Sequence, residues 1–293
     1  MAGKTILITG ATSGVGKETA RSLARMGAHL VLACRNRAKA EATRDEILRE
    51  AGGANPAAQR PQPPRLDLLD LDLSSLASVR GFAETFLGRY HRLDVLINNA
   101  GAFSMKRRET EDGFELTMGV DYFGTVLLTM LLLPLLKRTP GARIVNVSSA
   151  ASAYGKLNLQ DLNLKRGFNG FRAYATSKQA LNLFTRELAE RLQGTGVTVN
   201  SLHPGHAATG IWPKDVWYIA LASKFMRRFQ VTAEEGAKTS VYLATSPEVE
   251  GVTGRYFVRE KPATLGPNHD GLARQKELWE ITMRLLGLAP EGA

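Results

Sequence analysis

The chain has almost no cysteine. Cys34 is the only one among 293 residues, which rules out an intrachain disulfide and suits a reducing compartment. Histidine is nearly as scarce, at five residues, and His203 and His206 have no cysteine or carboxylate companions at ligand spacing. No metal site is expected. The longest apolar run, Val126 to Leu136, falls short of the ~20 residues that cross a bilayer and contains Pro134. A glycine turn begins within ten residues of Met1, so no signal segment is read ahead of the first strand. The expectation is a soluble, cytoplasmic protein without a membrane span. Acidic residues are outnumbered, 28 against 38 basic, for a net charge of +10. That favours anionic ligands. The basic residues are nevertheless scattered, with no aromatic-interleaved tract, and nucleic acid is not an expected partner. Neither a repeat nor a compositional break divides the chain, and 44% hydrophobic content suffices for one core spanning 1–293.

What is present begins with Thr9-Gly10-Ala11-Thr12-Ser13-Gly14-Val15-Gly16. Ahead of it, Lys4 to Ile8 reads as a buried strand; behind it, Val15, Thr19, Leu23 and Met26 recur at helical spacing. Strand, glycine-rich turn and helix together suit the pyrophosphate of a dinucleotide. Glycine lets the backbone approach the phosphates, and the helix N-terminus offers unpaired N–H groups. Further strands are predicted at Ala28–Ala33, within Arg65–Leu73, at Leu93–Ile97, Ala142–Val147 and Arg255–Val258. Helices are predicted over Ala38–Ala51, from Ser74 or Ser75 as cap to about Tyr90, over Glu111–Lys137, from about Tyr174 to Leu192, and over Val231–Thr245 with Thr232 as cap. This alternation implies βαβ units, hence an α/β fold with a doubly wound parallel sheet. The proline-rich stretch Asn55 to Pro64 reads as a surface insertion.

At the end of the second strand, where an acidic residue would bind the adenosine ribose, the chain has Cys34-Arg35-Asn36-Arg37. An arginine fork suits a 2′-phosphate, so NADP(H) is expected ahead of NAD(H), with Arg35 the stronger candidate; the alternative is that these arginines only cap a strand in solvent. Tyr174 and Lys178 lie four residues apart and share a helical face. A tyrosine in water ionises near pH ~10, and a neighbouring ammonium stabilises the phenolate. Such a pair can act as a general acid and base.

Taken together, Thr9-Gly10-x-x-x-Gly14-x-Gly16, Asn98-Asn99-Ala100-Gly101, Ser148-Ser149, Tyr174-x-x-x-Lys178 and Pro204-Gly205 resemble the classical short-chain dehydrogenase/reductase family, from Lys4 to about Val258. The resemblance implies a Rossmann-type sheet and a role for each matching residue. Tyr174 would exchange a proton with the substrate oxygen, Ser149 would hydrogen-bond that oxygen, and Lys178 would assist Tyr174 and bind the nicotinamide ribose. Gly10, Ser13, Gly14, Val15 and Gly16 would surround the phosphates. Asp72 and Leu73 would flank the adenine, Asn99 would line the groove, and Thr209 would contact the nicotinamide amide. Leu32 to Asn36, Val145 to Ala150, Gly155 to Asn163 and Gly254 to Phe257 are similar to the retinol dehydrogenase branch, which commonly takes lipophilic alcohols, aldehydes and ketones. One residue departs from the family pattern: Asp121 stands where asparagine is usual, and it is expected to alter the proton relay from Lys178 or to bind that lysine directly.

The segment His206 to Gln230 holds Trp212, Trp217, Tyr218, Phe225 and Phe229 and reads as a substrate lid at about 205–230 over an apolar pocket. Packing on the sheet, or on a second subunit, is the alternative. Lys224, Arg227 and Arg228 leave a weak membrane-surface contact open. A terminal helix over 269–286, with Leu272, Lys276, Trp279, Met283 and Leu286 on one side, is expected to pack on its own subunit or on a partner, which leaves a homo-oligomer open. A small-molecule oxidoreductase is the favoured reading. A cofactor-binding regulator or redox sensor without turnover, and a reductase of polar sugars, are the alternatives.

Overall fold

The computed structural model describes residues 1–53, 64–205, 232–269 and 271–289. The expected insertion at Asn55–Pro64 and lid at 205–230 therefore lie, apart from Pro64 and Gly205, outside the described residues, as does Thr209. In chain order the elements are β1 (Thr5–Thr9), α1 (Gly14–Arg25), β2 (His29–Cys34), α2 (Arg37–Gly53), β3 (Arg65–Asp70), α3 (Leu76–Arg89) and β4 (Val95–Asn98). A long helix follows: α4 (Leu116–Met118), a π-helical turn (Gly119–Gly124) and α5 (Thr125–Arg138). Then come β5 (Arg143–Val147), a 3₁₀ turn (Ala150–Tyr154), α6 (Gly170–Arg191), β6 (Thr198–His203), α7 (Ala233–Thr245), β7 (Tyr256–Val258), β8 (Lys261–Ala263) and α8 (Leu272–Leu285).

The strands form one eight-stranded sheet in the order β3-β2-β1-β4-β5-β6-β7-β8, parallel except for β7 with β8. Strand side chains alternate between faces, and the two cores follow from that. Leu7, Val31 and Leu96 face the layer holding α3, α5, α6 and α8, whereas Ile6, Ile8, Leu30 and Leu32 face α1 and α7. Chain order reverses between β1 and β4, and the carboxyl ends of the strands at such a reversal are where open α/β sheets take their ligands.

Ser75 proves to be the cap of α3, accepting the Ser78 N–H at 3.2 Å, and Thr232 caps α7 through Glu235 N–H. The helix predicted from Glu111 starts five residues later. Gly113 has φ +80°, Phe114 N–H folds back onto Thr110, and the Glu115 side chain caps Met118. From Leu116 to Arg138 the helix runs 23 residues, with a mean hydropathy of 1.7 over its most apolar 18-residue window, so length does not exclude a span, contrary to the shorter apolar run read from sequence. It is nonetheless 89% buried over its most apolar window, where its side chains already supply the core between sheet and helices.

In α1, Val15, Thr19 and Leu23 are buried as predicted, but Met26 is 44% exposed, because the helix ends at Arg25. β8 was not anticipated. It joins β7 through Arg259 and Glu260, both at positive φ, as a two-residue hairpin loop requires, and neither residue is a turn signal. The terminal helix begins at Leu272, after a 3₁₀ turn at Pro267–His269. Trp279, Met283 and Leu286 are buried as expected, whereas Leu272 is 62% exposed and Lys276 also faces out; Gln275, Leu278 and Thr282 complete the inner face instead. That face packs on its own subunit. Trp279 stacks on Phe184 of α6 at 5.6 Å, Gln275 Nε2 donates to Glu187 at 2.9 Å, and Thr282 meets the Tyr122 hydroxyl at 2.8 Å.

Candidate active site

The glycine turn after β1 and the Asn99-Ala100 segment after β4 meet at the point where strand order reverses. Thr9 Oγ1 accepts the backbone N–H of Asn99 and of Ala100, each at 3.0 Å. The Asn99 amide donates to Thr9 O at 3.0 Å and Gly10 O at 3.2 Å. Gly10 and Gly14 have φ of +68° and +54°, a region that favours glycine. A Cβ on Gly10 would lie 2.7 Å from Ala100 Cα, and one on Gly16 would run into the Asn99 amide and lie 2.5 Å from Gly10 O. The turn thus requires glycine at positions 10 and 16. Ser13 stands at the N-cap of α1 without a side-chain cap bond, and no acidic residue occupies the first turn. The first N–H groups of α1 and the positive end of its dipole therefore remain available to an anion. These residues fit a dinucleotide pyrophosphate. Val15 itself is buried, so its backbone, not its side chain, faces this cradle.

On the adenosine side, Arg35 follows β2 with its side chain 73% exposed, and its guanidinium is 4.0 Å from Asp72. Asp72 is fixed by Ser74, whose N–H and hydroxyl donate to Oδ1 at 2.9 and 2.6 Å. Arg37 is committed elsewhere, to Glu41 at 2.9 Å and Asp70 at 3.7 Å, which leaves Arg35 as the more available fork. Leu73 is buried, with its carbonyl packed against Gly124, so only its backbone edge could border an adenine.

The proton-handling groups come from three separate elements. α6 carries Tyr174 and Lys178, with the lysine Nζ 5.6 Å from the tyrosine ring centroid. Lys178 is 3% exposed; Nζ donates to Val147 O, at the end of β5, at 3.3 Å and pairs with Asp121 Oδ2 at 3.3 Å. Asp121 enters from the π turn, an irregularity common at functional sites. Its carboxylate also accepts the Ala102 N–H at 2.6 Å and lies 3.4 Å from the Ser177 hydroxyl, which is closer, at 2.8 Å, to Tyr174 O. Burial pushes the Asp121 carboxyl above the usual carboxylate range, with Lys178, Ala102 and Ser177 pulling back. Burial disfavours the Lys178 charge too, but Asp121 and Tyr174 outweigh it and hold the ammonium above the ordinary lysine range. The Lys178 ammonium and the Ala102 N–H both donate to Asp121, so the pair is read as carboxylate with ammonium. The direct Asp121–Lys178 contact is the one anticipated from sequence.

Ser149 stands two residues beyond Val147, as the cap of the 3₁₀ turn. Its Oγ accepts the Ala151 N–H at 3.1 Å, so the hydroxyl proton is what it can offer to a ligand. Ser148 is turned inward and donates to Lys178 O at 3.3 Å. Sequence reasoning missed Phe103, whose ring meets Tyr174 edge-on at 6.0 Å, and Tyr256, a buried neighbour of Tyr174 whose hydroxyl is pushed up to about 12 by burial and then by Tyr174. It also missed Ser177 and the Ala102 N–H as partners of Asp121. Nothing in the spacing of these residues signals their approach. Among the described residues no histidine, cysteine and carboxylate group is arranged to hold a metal.

The comparisons agree with this arrangement. The family model for short chain dehydrogenases matches residues 4–216. Mouse retinol dehydrogenase 14 is 46% identical over 295 residues, covering 98% of this chain and 87% of that protein. Among solved structures, an uncharacterised protein of Mycobacterium paratuberculosis superposes with a TM-score of 0.78 at 32% identity, over 98% of this chain and 94% of the other. A Beutenbergia cavernae protein described as an NAD(P)-dependent gluconate 5-dehydrogenase, with NADP bound at low occupancy, gives 0.68 at 27% identity, over 88% and 96%. The chain therefore belongs to the short-chain dehydrogenase/reductase family, within its retinol dehydrogenase branch.

Proposed function

We propose that this oxidoreductase interconverts a hydroxyl and a carbonyl on a lipophilic alcohol, aldehyde or ketone, with NADP(H) preferred to NAD(H). The observation that carries the reading is Lys178, held as a buried ammonium beside Tyr174 and close to Gly101 in the segment after β4. A dinucleotide held by the cradle would supply or accept the hydride through its nicotinamide. Gly10, Ser13, Gly14, Val15, Gly16 and Asn99 would hold the dinucleotide, with Asp72 and Leu73 bordering the adenine. In reduction, the Tyr174 hydroxyl gives its proton to the substrate oxygen while Ser149 hydrogen-bonds the same atom. The Lys178 ammonium stabilises the negative charge that develops on the tyrosine oxygen. In oxidation the same proton travels back.

Arg35, exposed and loosely held, supports a 2′-phosphate. The apolar content of His206 to Gln230 and the retinol dehydrogenases among its relatives support a lipophilic substrate. The single, buried Cys34 suits a cytoplasmic setting. The test is turnover of purified protein with retinal, long-chain aldehydes and polar sugars, each with NADPH and NADH. Apolar carbonyls with NADPH should be consumed fastest. Binding of NADPH without oxidation by any carbonyl would instead establish a regulator or sensor, and preference for sugars would overturn the lipophilic assignment.

A further inference from the structure

The 3₁₀ turn that carries Ser149 and the helix that carries Tyr174 and Lys178 are tied together by a third piece of chain, the turn Pro267–His269. The Asn268 amide nitrogen lies within hydrogen-bond distance of three carbonyls of the serine turn, Ser152 O at 3.0 Å, Ala153 O at 3.1 Å and Gly155 O at 3.1 Å, among which its two N–H groups are shared. No other side-chain type of this size offers two N–H bonds from one atom to such a fan of acceptors. The Asn268 backbone carbonyl is gripped in turn by Gln179 Nε2 at 2.6 Å, while Gln179 Oε1 accepts the Leu157 N–H at 3.0 Å. Gly155 leaves no room for a Cβ, which would stand 2.6 Å from that same Oε1.

Two further bonds run the same way. Asn182 Nδ2 donates to Ser152 Oγ at 3.1 Å, and Arg186 donates to His269 O at 3.0 Å. Gln179, Asn182 and Arg186 follow at i, i+3 and i+7, one stripe of α6. The stripe begins at the residue after Lys178.

We infer that Asn268 is a positioning residue, which fixes the Ser149 turn against α6 so that the Ser149 hydroxyl and the Tyr174 hydroxyl address one substrate oxygen. The assignment of those two hydroxyls rests on the function proposed above; the clamp itself is independent of it. Carbonyls that lose their donor leave the turn free to move, and displacement of a reacting group by about 1 Å can cost on the order of 100-fold in rate.

The test has two arms. In the first, amide exchange is compared between the unaltered protein and Asn268→Ala. Ser152 and Gly155, whose N–H groups close the serine turn, should exchange faster, with the α6 amides unchanged; unaltered protection would overturn the clamp. In the second, Asn268→Ala should lower kcat roughly 10- to 100-fold while NADPH affinity stays the same. In a Ser149→Ala background the same substitution should cost less than about twofold, since the group it positions is gone. A full loss persisting in that background, or an unchanged kcat with Ser149 intact, would overturn the proposal. Asn268→Ser, which keeps one donor, carries both comparisons should the alanine variant fail to fold. An unaltered protein without turnover would refute the proposed activity, and the exchange arm would still decide the clamp.

Discussion

Replacing Gly16 by alanine sets two known effects against each other, and Gly81 supplies the control. Both glycines lie in helices, where alanine gains up to about 1 kcal/mol over glycine. At Gly81, in α3, nothing lies within 4 Å of an added Cβ. Gly81→Ala should therefore stabilise by ~0.4–1 kcal/mol. At Gly16 the new carbon would lie 2.5 Å from Gly10 O and run into the Asn99 amide. Neither neighbour yields freely: the Asn99 amide is bonded to Thr9 O and Gly10 O, and Gly10 O is backbone. Overpacking of this kind costs ~1–3 kcal/mol, and loosening the Asn99 bonds falls at the upper end of that range. The net expectation is a loss of about 1–2 kcal/mol. At roughly 2–4 °C per kcal/mol for a chain of this size, Tm should fall by ~2–8 °C in Gly16→Ala and rise by ~1–4 °C in Gly81→Ala. Because the strain opens the phosphate cradle, NADPH affinity should drop by on the order of tenfold in the first variant and hold in the second. Thermal melts and fluorescence titration with NADPH measure both. A Gly16→Ala protein that melts at or above the unaltered protein and binds NADPH equally well would refute the packing argument.

Tyr174→Phe keeps the ring and its edge contact with Phe103 but removes the exchangeable proton, so turnover should fall by on the order of 10²–10⁴ while NADPH still binds; near-normal turnover would sink the proposed chemistry. Arg35→Asp places a carboxylate where the 2′-phosphate is expected, and the NADPH preference should reverse or vanish; equal binding of both dinucleotides by the unaltered protein would remove the reason for assigning Arg35. Asp121→Asn removes a carboxylate that stabilises Lys178 but opposes negative charge on the Tyr174 oxygen. The pH–rate profile of the variant should therefore lie at lower pH than that of the unaltered enzyme, and a coincident profile or the opposite displacement would show that Asp121 does not act on Tyr174. Leaving the Lys178 ammonium buried without its partner costs about 3–5 kcal/mol, less where the Asn oxygen still accepts the Ala102 N–H, so this variant should also melt earlier.

Local patterns in the sequence determined the glycine cradle, the pairing of Tyr174 with Lys178 and the doubly wound sheet. Each depends on a backbone period or a turn whose requirements are met by residues close together in the chain. Positive φ at Gly10 and Gly14, and a shared face for residues four apart, need no knowledge of the rest of the fold. Tertiary structure decided the remainder. Asp121 reaches Lys178 only because a π turn and α6 pack side by side, and Ser177 joins them from 56 residues away. The hairpin that makes β8 runs through Arg259 and Glu260, which carry no turn signal, and its strand is exposed, so no apolar alternation marks it. Asn268 grips carbonyls more than 110 positions earlier. A lone asparagine in a proline-flanked turn has no period to betray such a role. Side-chain periodicity records which face of an element is buried, but not which distant backbone groups that element will be stacked against.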